Sequence, residues 1–159
     1  MKTLLVVVFV LTVTVAARWQ DLDPNATLRQ ATIRFEAPLF NEQSDLEVKA
    51  VIKIETGGQP RQEVAHLEAV LNTAKSGDLA LALTSDKATR KDLADAQLSI
   101  TLIPVRGPAR DRWVFLYWLD LFFSDGNWFY VHRKESASLN ALQNVYTTHL
   151  SVALPSGKP

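Results

Sequence analysis

The chain has 159 residues, enough for one domain and few for two of ordinary size. Lys+Arg and Asp+Glu balance at 17 each, which excludes the strongly basic footprint of a nucleic-acid binder. Apolar residues make up 47% of the chain against 21% charged, so it is no disordered tail, and with no cysteine it has no disulfide, thiolate metal site or cysteine nucleophile.

Met1-Lys2 supplies a short basic start, residues 3–15 form an apolar run, and Ala16-Ala17 supply small residues before Arg18. This order predicts a signal peptide over 1–17 and a single secreted or periplasmic globular domain over 18–159. The run is shorter than the roughly 20 residues that cross a bilayer, and no second one follows, so no membrane span is expected after leader removal. Asn25-Ala26-Thr27 matches the acceptor pattern for N-glycosylation.

The first strand pattern places Ala31, Ile33 and Phe35 opposite Thr32, Arg34 and Glu36. In 46–55 the alternation is clearest: Leu46, Val48, Ala50, Ile52 and Ile54 share a face, with only Val51 breaking the polar set opposite. Across 60–76 the period changes. Val64, Leu67, Leu71 and Ala74 follow helical spacing, Pro60 suits the first turn and Gly77 the C-terminal stop, which predicts the one main helix. Leu79, Leu81 and Leu83 predict a short strand. Residues 85–96 read as a solvated short helix capped by Ser85, with Asp86, Asp92, Asp95, Lys87, Arg90 and Lys91 as a solubilising face. Leu98, Ile100 and Leu102 predict a further strand, and 106–111 a mildly basic loop. A short helix is expected within 135–145 and a last strand through Leu150, Val152 and Leu154.

Residues 112–134 dominate. Two aromatic, strand-prone runs flank Asp125-Gly126, a strong hairpin signal. Trp113, Phe115, Tyr117, Leu119, Leu121 and Phe123 form one parity of the first run; Val114, Leu116, Trp118, Asp120 and Phe122 form the other. Leaving either wet is costly, so three readings stand: a central strand pair covered on both sides, a pocket wall, or a partner surface. The turn decides a further point. A two-residue Asp125-Gly126 turn sets Asp120 opposite Val131, on one face with Arg133. A three-residue Ser124-Asp125-Gly126 turn with a bulge sets Asp120 on one face with Tyr130 and His132, the geometry an acid/base pair needs.

The stretch from Asp125-Gly126-Asn127-Trp128 to His132-Arg133 resembles the late hairpin of NTF2-like cone-shaped domains. That resemblance implies a cavity of the kind that hosts dehydratases, isomerases and ligand binders. The strand-rich region 31–55 departs from the N-terminal helices of that family.

The expected fold is α+β, a curved antiparallel sheet with one main helix packed on it; the alternative is a β-sandwich with an inserted helix. The expected function is a non-catalytic binding or interaction domain. Trp113, Tyr117, Trp118, Phe122, Trp128 and Tyr130 would form its contact surface or pocket wall. One alternative is a small lyase- or isomerase-type enzyme with Asp120 and His132 as its acid/base pair. Another is a structural or assembly subunit of an envelope complex. Partners fitting the surface are an apolar or aromatic small ligand, a glycan, a protein, or a second copy in a homo-oligomer. His66, His132 and His149 stand apart in the sequence, so no metal or cofactor is expected.

Overall fold

The computed structural model describes residues 22–36, 46–55, 61–71, 75–104, 113–132, 137–139 and 144–152. The expected leader (1–17), the basic loop 106–111, Pro60 and Leu154 lie outside them. In chain order the elements are β1 (Leu28–Glu36), β2 (Leu46–Ile54), β3 (Gln62–Leu71), β4 (Leu79–Ala80), β5 (Ala82–Leu83), α1 (Arg90–Leu93), β6 (Gln97–Pro104), β7 (Trp113–Phe123), β8 (Trp128–His132), β9 (Ala137–Leu139) and β10 (Val145–His149).

The strands form two antiparallel sheets. Sheet one runs β4-β1-β7-β8, with β9 also pairing β7; sheet two runs β10-β6-β2-β3-β5. Their inner faces supply one apolar core. Ala31, Ile33 and Phe35 of β1 and the odd positions of β7 come from sheet one; Val48, Ala50, Ile52, Leu98 and Ile100 come from sheet two. Rings bridge the layers: Tyr146 of β10 meets Phe115 edge-on, centroids 6.1 Å apart. Each large side chain so buried contributes on the order of 1.5–3 kcal/mol.

This overturns the α+β expectation, because no main helix packs on a sheet. The alternative of a sandwich with an inserted helix fails on the same ground: α1, four residues long, is the only helix among the described residues. The cavity implied by the NTF2-like resemblance has no helix longer than four residues to complete it among the described residues.

The segment expected as the main helix is β3, and a β-bulge explains its apparent helical spacing. β2 pairs β3 as Ile52↔Ala65 and then Lys53↔Glu63, so Val64 is an extra residue. Val64 and Ala65 are consequently buried side by side. Beyond the bulge, Ala65, Leu67, Ala69 and Leu71 alternate with His66, Glu68 and Val70 as a strand should. One inserted residue turned a period of two into an apparent i, i+3, i+7 series.

The remaining differences are also local. Residues 79–83 divide between the sheets: β4 pairs β1 and β5 pairs β3, while the Leu81 N–H donates to the Ala31 carbonyl at 2.9 Å. The helix expected over 85–96 shrinks to α1, capped by Thr89 rather than Ser85. Thr89 and Asp92 form a reciprocal capping box, each side chain taken up by the other's backbone N–H. Within 135–145 the described residues include β9 and the start of β10, not a helix. The last strand ends at His149, since the Leu150 N–H turns to the Ala96 carbonyl at 2.9 Å and Ser151 takes φ +45°. None of the helices among the described residues is long and apolar enough to cross a membrane.

Candidate functional site

The hairpin turn sets the site's parity. The Gly126 N–H donates to the Phe123 carbonyl and the Phe123 N–H to the Asn127 carbonyl, both at 3.0 Å. The loop is therefore Ser124-Asp125-Gly126. Gly126 sits at φ +82°, a backbone region in which a side chain is strained. Below this turn Phe122 pairs Trp128, Asp120 pairs Tyr130 and Trp118 pairs His132. Asp120 and His132 thus lie on the same parity as diagonal neighbours, the relation expected of the wider turn.

β7 buries every odd position and half-covers every even one. Trp113 and Tyr117 therefore belong to the core, with Trp113 stacked on Phe115 at 4.1 Å. The other four predicted contact residues, Trp118, Phe122, Trp128 and Tyr130, share the outer face of sheet one. Trp128 is 45% exposed and Tyr130 68%. So the expectation that both faces of the hairpin are covered does not hold among the described residues.

The outer face is built in rows across three strands. Thr32, Asp120 and Tyr130 form one; Gln30, Phe122 and Trp128 another; Arg34, Trp118 and His132 a third. The Phe122 and Trp128 ring centroids lie 4.7 Å apart, and the Trp128 and Tyr130 rings stack 13° from parallel with centroids 6.4 Å apart. The Arg34 guanidinium sits over the Trp118 ring at 5.3 Å. Amid these rings burial pushes the Asp120 carboxyl above its usual range; Arg34 opposes that shift and Asp78 adds to it.

At the Trp118 end the sheet surface dips into a cleft of about 320 Å³, lined by Arg34, Phe35, Glu36, Lys75, Ser76 and Trp118. Its wall is tied to β1. The Ser76 N–H donates to the Phe35 carbonyl at 3.0 Å, and the Phe35 N–H donates to Ser76 Oγ at 2.8 Å. Lys75 Nζ pairs with Glu36 at 3.0 Å and Arg34 Nε with Asp78 at 3.7 Å. The cleft and the rings offer stacking surfaces beside hydrogen-bonding groups. The outer face of sheet two differs: Lys49 pairs Glu68 at 2.7 Å, and Lys53, Glu63, His66, Ser99 and Thr101 share it as a solvated face.

The hairpin is held by a residue the sequence pattern assigned to a solubilising face. Arg90 is 2% exposed. Its guanidinium grips Asp125 through two bonds, 2.7 and 3.0 Å, and donates to the Asp23 carbonyl at 2.6 Å. It also lies over the Phe123 ring at 4.3 Å. The Asp125 carboxylate accepts in addition from the backbone N–H groups of Asn127 and Asp23, at 3.1 and 3.3 Å. The Arg90 hydrogen bonds, then those from Asn127, hold Asp125 well below the usual carboxylate range against the cost of burial. This staple fixes turn, N-terminal segment and α1 together. Its visible trace in the sequence is the capping pattern Thr89-Arg90-Lys91-Asp92, which sets Arg90 at the helix start.

Asn25 is exposed in the turn before β1, its N–H bonded to Asp23 Oδ1 at 2.8 Å. His66 Nδ1 lies 2.8 Å from Glu63, His149 sits on edge strand β10, and no group of three metal-ligating side chains gathers among the described residues. Comparison of the chain with family models, curated proteins and solved structures gave no match.

Proposed function

We propose that this chain is an exported, non-catalytic binding module that engages its partner through the outer face of sheet one. The contrast between its two outer faces carries this reading. One carries mainly ion pairs and hydroxyls, with only two small aliphatic side chains, Val70 and Val145, exposed among its described residues. The other sets Trp118, Phe122, Trp128 and Tyr130 on a face open to solvent. Exposed aromatic rings rimmed by polar groups are what a recognition surface needs, because water leaves them readily and hydrogen bonds then fix orientation. The staple of Arg90 and Asp125 favours the same reading, since a rigid platform binds with less loss of entropy. Export is supported by the leader pattern over 1–17.

The test is a titration of Trp emission with apolar probes, soluble glycans and peptides, repeated on Trp118→Phe and Trp128→Phe. A response carried by these two indoles supports the reading. No response to any class, or one unchanged in both variants, overturns it.

A further inference from the structure

Resting on that reading, we propose that the cleft beside Trp118 and the ring row extending from it bind a neutral oligosaccharide chain. The chemistry of the face selects among partners. A wholly apolar occupant, such as an acyl chain or the greasy side of a helix, would cover Gln30, Thr32, Arg34 and Asp120 without giving them hydrogen bonds. A buried polar group left unpaired costs about 1–3 kcal/mol. A sugar ring presents C–H bonds on its faces and hydroxyls around its rim. The C–H face meets the negative face of an aromatic ring, and the rim meets the polar groups interleaved with those rings.

Charge narrows the class further. Arg34 and Lys75 are the cations of the cleft and its rim, and each already has a carboxylate, Asp78 and Glu36. Asp120 adds a third carboxylate to the face. Two cations beside three carboxylates form no anion site, which excludes phosphates and uronates as the natural match. A neutral polyhydroxyl ligand can accept from Arg34 and Lys75 and donate to the carboxylates without disturbing either pair.

Size and shape agree. A cleft of about 320 Å³ lies at the small end of ligand pockets, large enough for a single ring. From Trp118 to Phe122 the strand advances four residues, about 14 Å at 3.4 Å each, so a ligand that reaches both must be a chain. The stacked, near-parallel Trp128 and Tyr130 rings continue the aromatic surface along β8.

Affinity electrophoresis with the full chain tests this, using arabinoxylan, laminarin and glycol chitin as neutral probes and alginate as the acidic one. The expected result is retardation by at least one neutral polymer that survives 0.5 M NaCl, which sets roughly a 4 Å screening length. Trp128→Ala and Tyr130→Ala, both at exposed rings, should each weaken it several-fold, Trp118→Ala should abolish it, and Val70→Ala on sheet two should leave it unchanged. Because Trp118 is half-buried, the exposed-ring variants decide the outcome if Trp118→Ala melts early. Retardation by alginate alone, lost in salt, overturns the neutral class while leaving the aromatic face as the binding surface. Neutral binding that ignores Trp128→Ala and Tyr130→Ala overturns both this proposal and the reading beneath it. Failure of all three neutral probes overturns the saccharide assignment, and the Trp-emission titration then decides the broader reading separately.

Discussion

Asp125→Ala should be among the most damaging single substitutions in the molecule. It removes the bidentate partner of a guanidinium that is 2% exposed and leaves it only the Asp23 carbonyl and the Phe123 ring. Breaking a buried pair from one side costs about 3–5 kcal/mol, because the surviving charge stays desolvated. A domain of this size has about 5–15 kcal/mol of stability in total, and each kcal/mol moves Tm by about 2–4 °C. The expected fall in Tm is therefore roughly 6–20 °C. Arg90→Met keeps much of the side-chain volume and removes the stranded charge. Asp125 then retains its bonds from Asn127 and Asp23, so the loss should be smaller, about 1–3 kcal/mol. Urea melts of the wild type, both single variants and the double variant give the coupling. Asp125→Ala should cost less in the Arg90→Met background by at least about 1 kcal/mol. Additive losses, or a loss under about 1 kcal/mol for Asp125→Ala alone, would refute the staple.

The depressed Asp125 pKa gives a pH signature. Its stabilisation is complete above the unfolded carboxylate pKa of about 3.9 and is lost progressively as pH falls below that value. Acid melts should therefore steepen below about pH 4, and the steepening should be weaker in Asp125→Ala. For Asp120 the sign is opposite. Its raised pKa means that ionisation opposes folding, so Asp120→Asn should hold or raise Tm at pH 7, with the difference closing in acid. Gly126→Ala should cost about 1–2 kcal/mol through its positive φ alone, since a Cβ there meets no atom within 4 Å. Thr89→Ala should cost about 1 kcal/mol by removing the capping box, read as faster amide exchange over α1.

How far the sequence could be read depended on how local each signal was. β2 is plain in it through alternation over nine residues without an inserted one, and β7 through an eleven-residue aromatic, strand-prone run leading to the Asp125-Gly126 turn. β3 was hidden by one bulged valine. The hairpin was legible but its parity was not: Asp125-Gly126 suits two turn lengths, and only the observed φ of Gly126 and the bond from Phe123 to Asn127 choose between them. Arg90 was out of reach for a different reason. Its partner is 35 positions away, and the capping pattern around it marks a helix start without marking which guanidinium folding will bury. Two of the outer rings, Trp118 and Phe122, were visible as an excess of apolar residues on the second parity of β7, and Trp128 and Tyr130 as aromatics in the run after the turn. That they face solvent rather than another layer depends on the layering of the whole chain, which periodicity within one strand does not contain.

The most direct test of the binding face uses the indole N–H resonances of the chain's four tryptophans. With arabinoxylan, laminarin or glycol chitin titrated into labelled protein, the signals of Trp118 and Trp128 should move together, while Trp113, stacked in the core on Phe115, stays still. Movement of Trp113 with Trp118 and Trp128 unmoved would place recognition away from this face and contradict the proposed role of the outer rings.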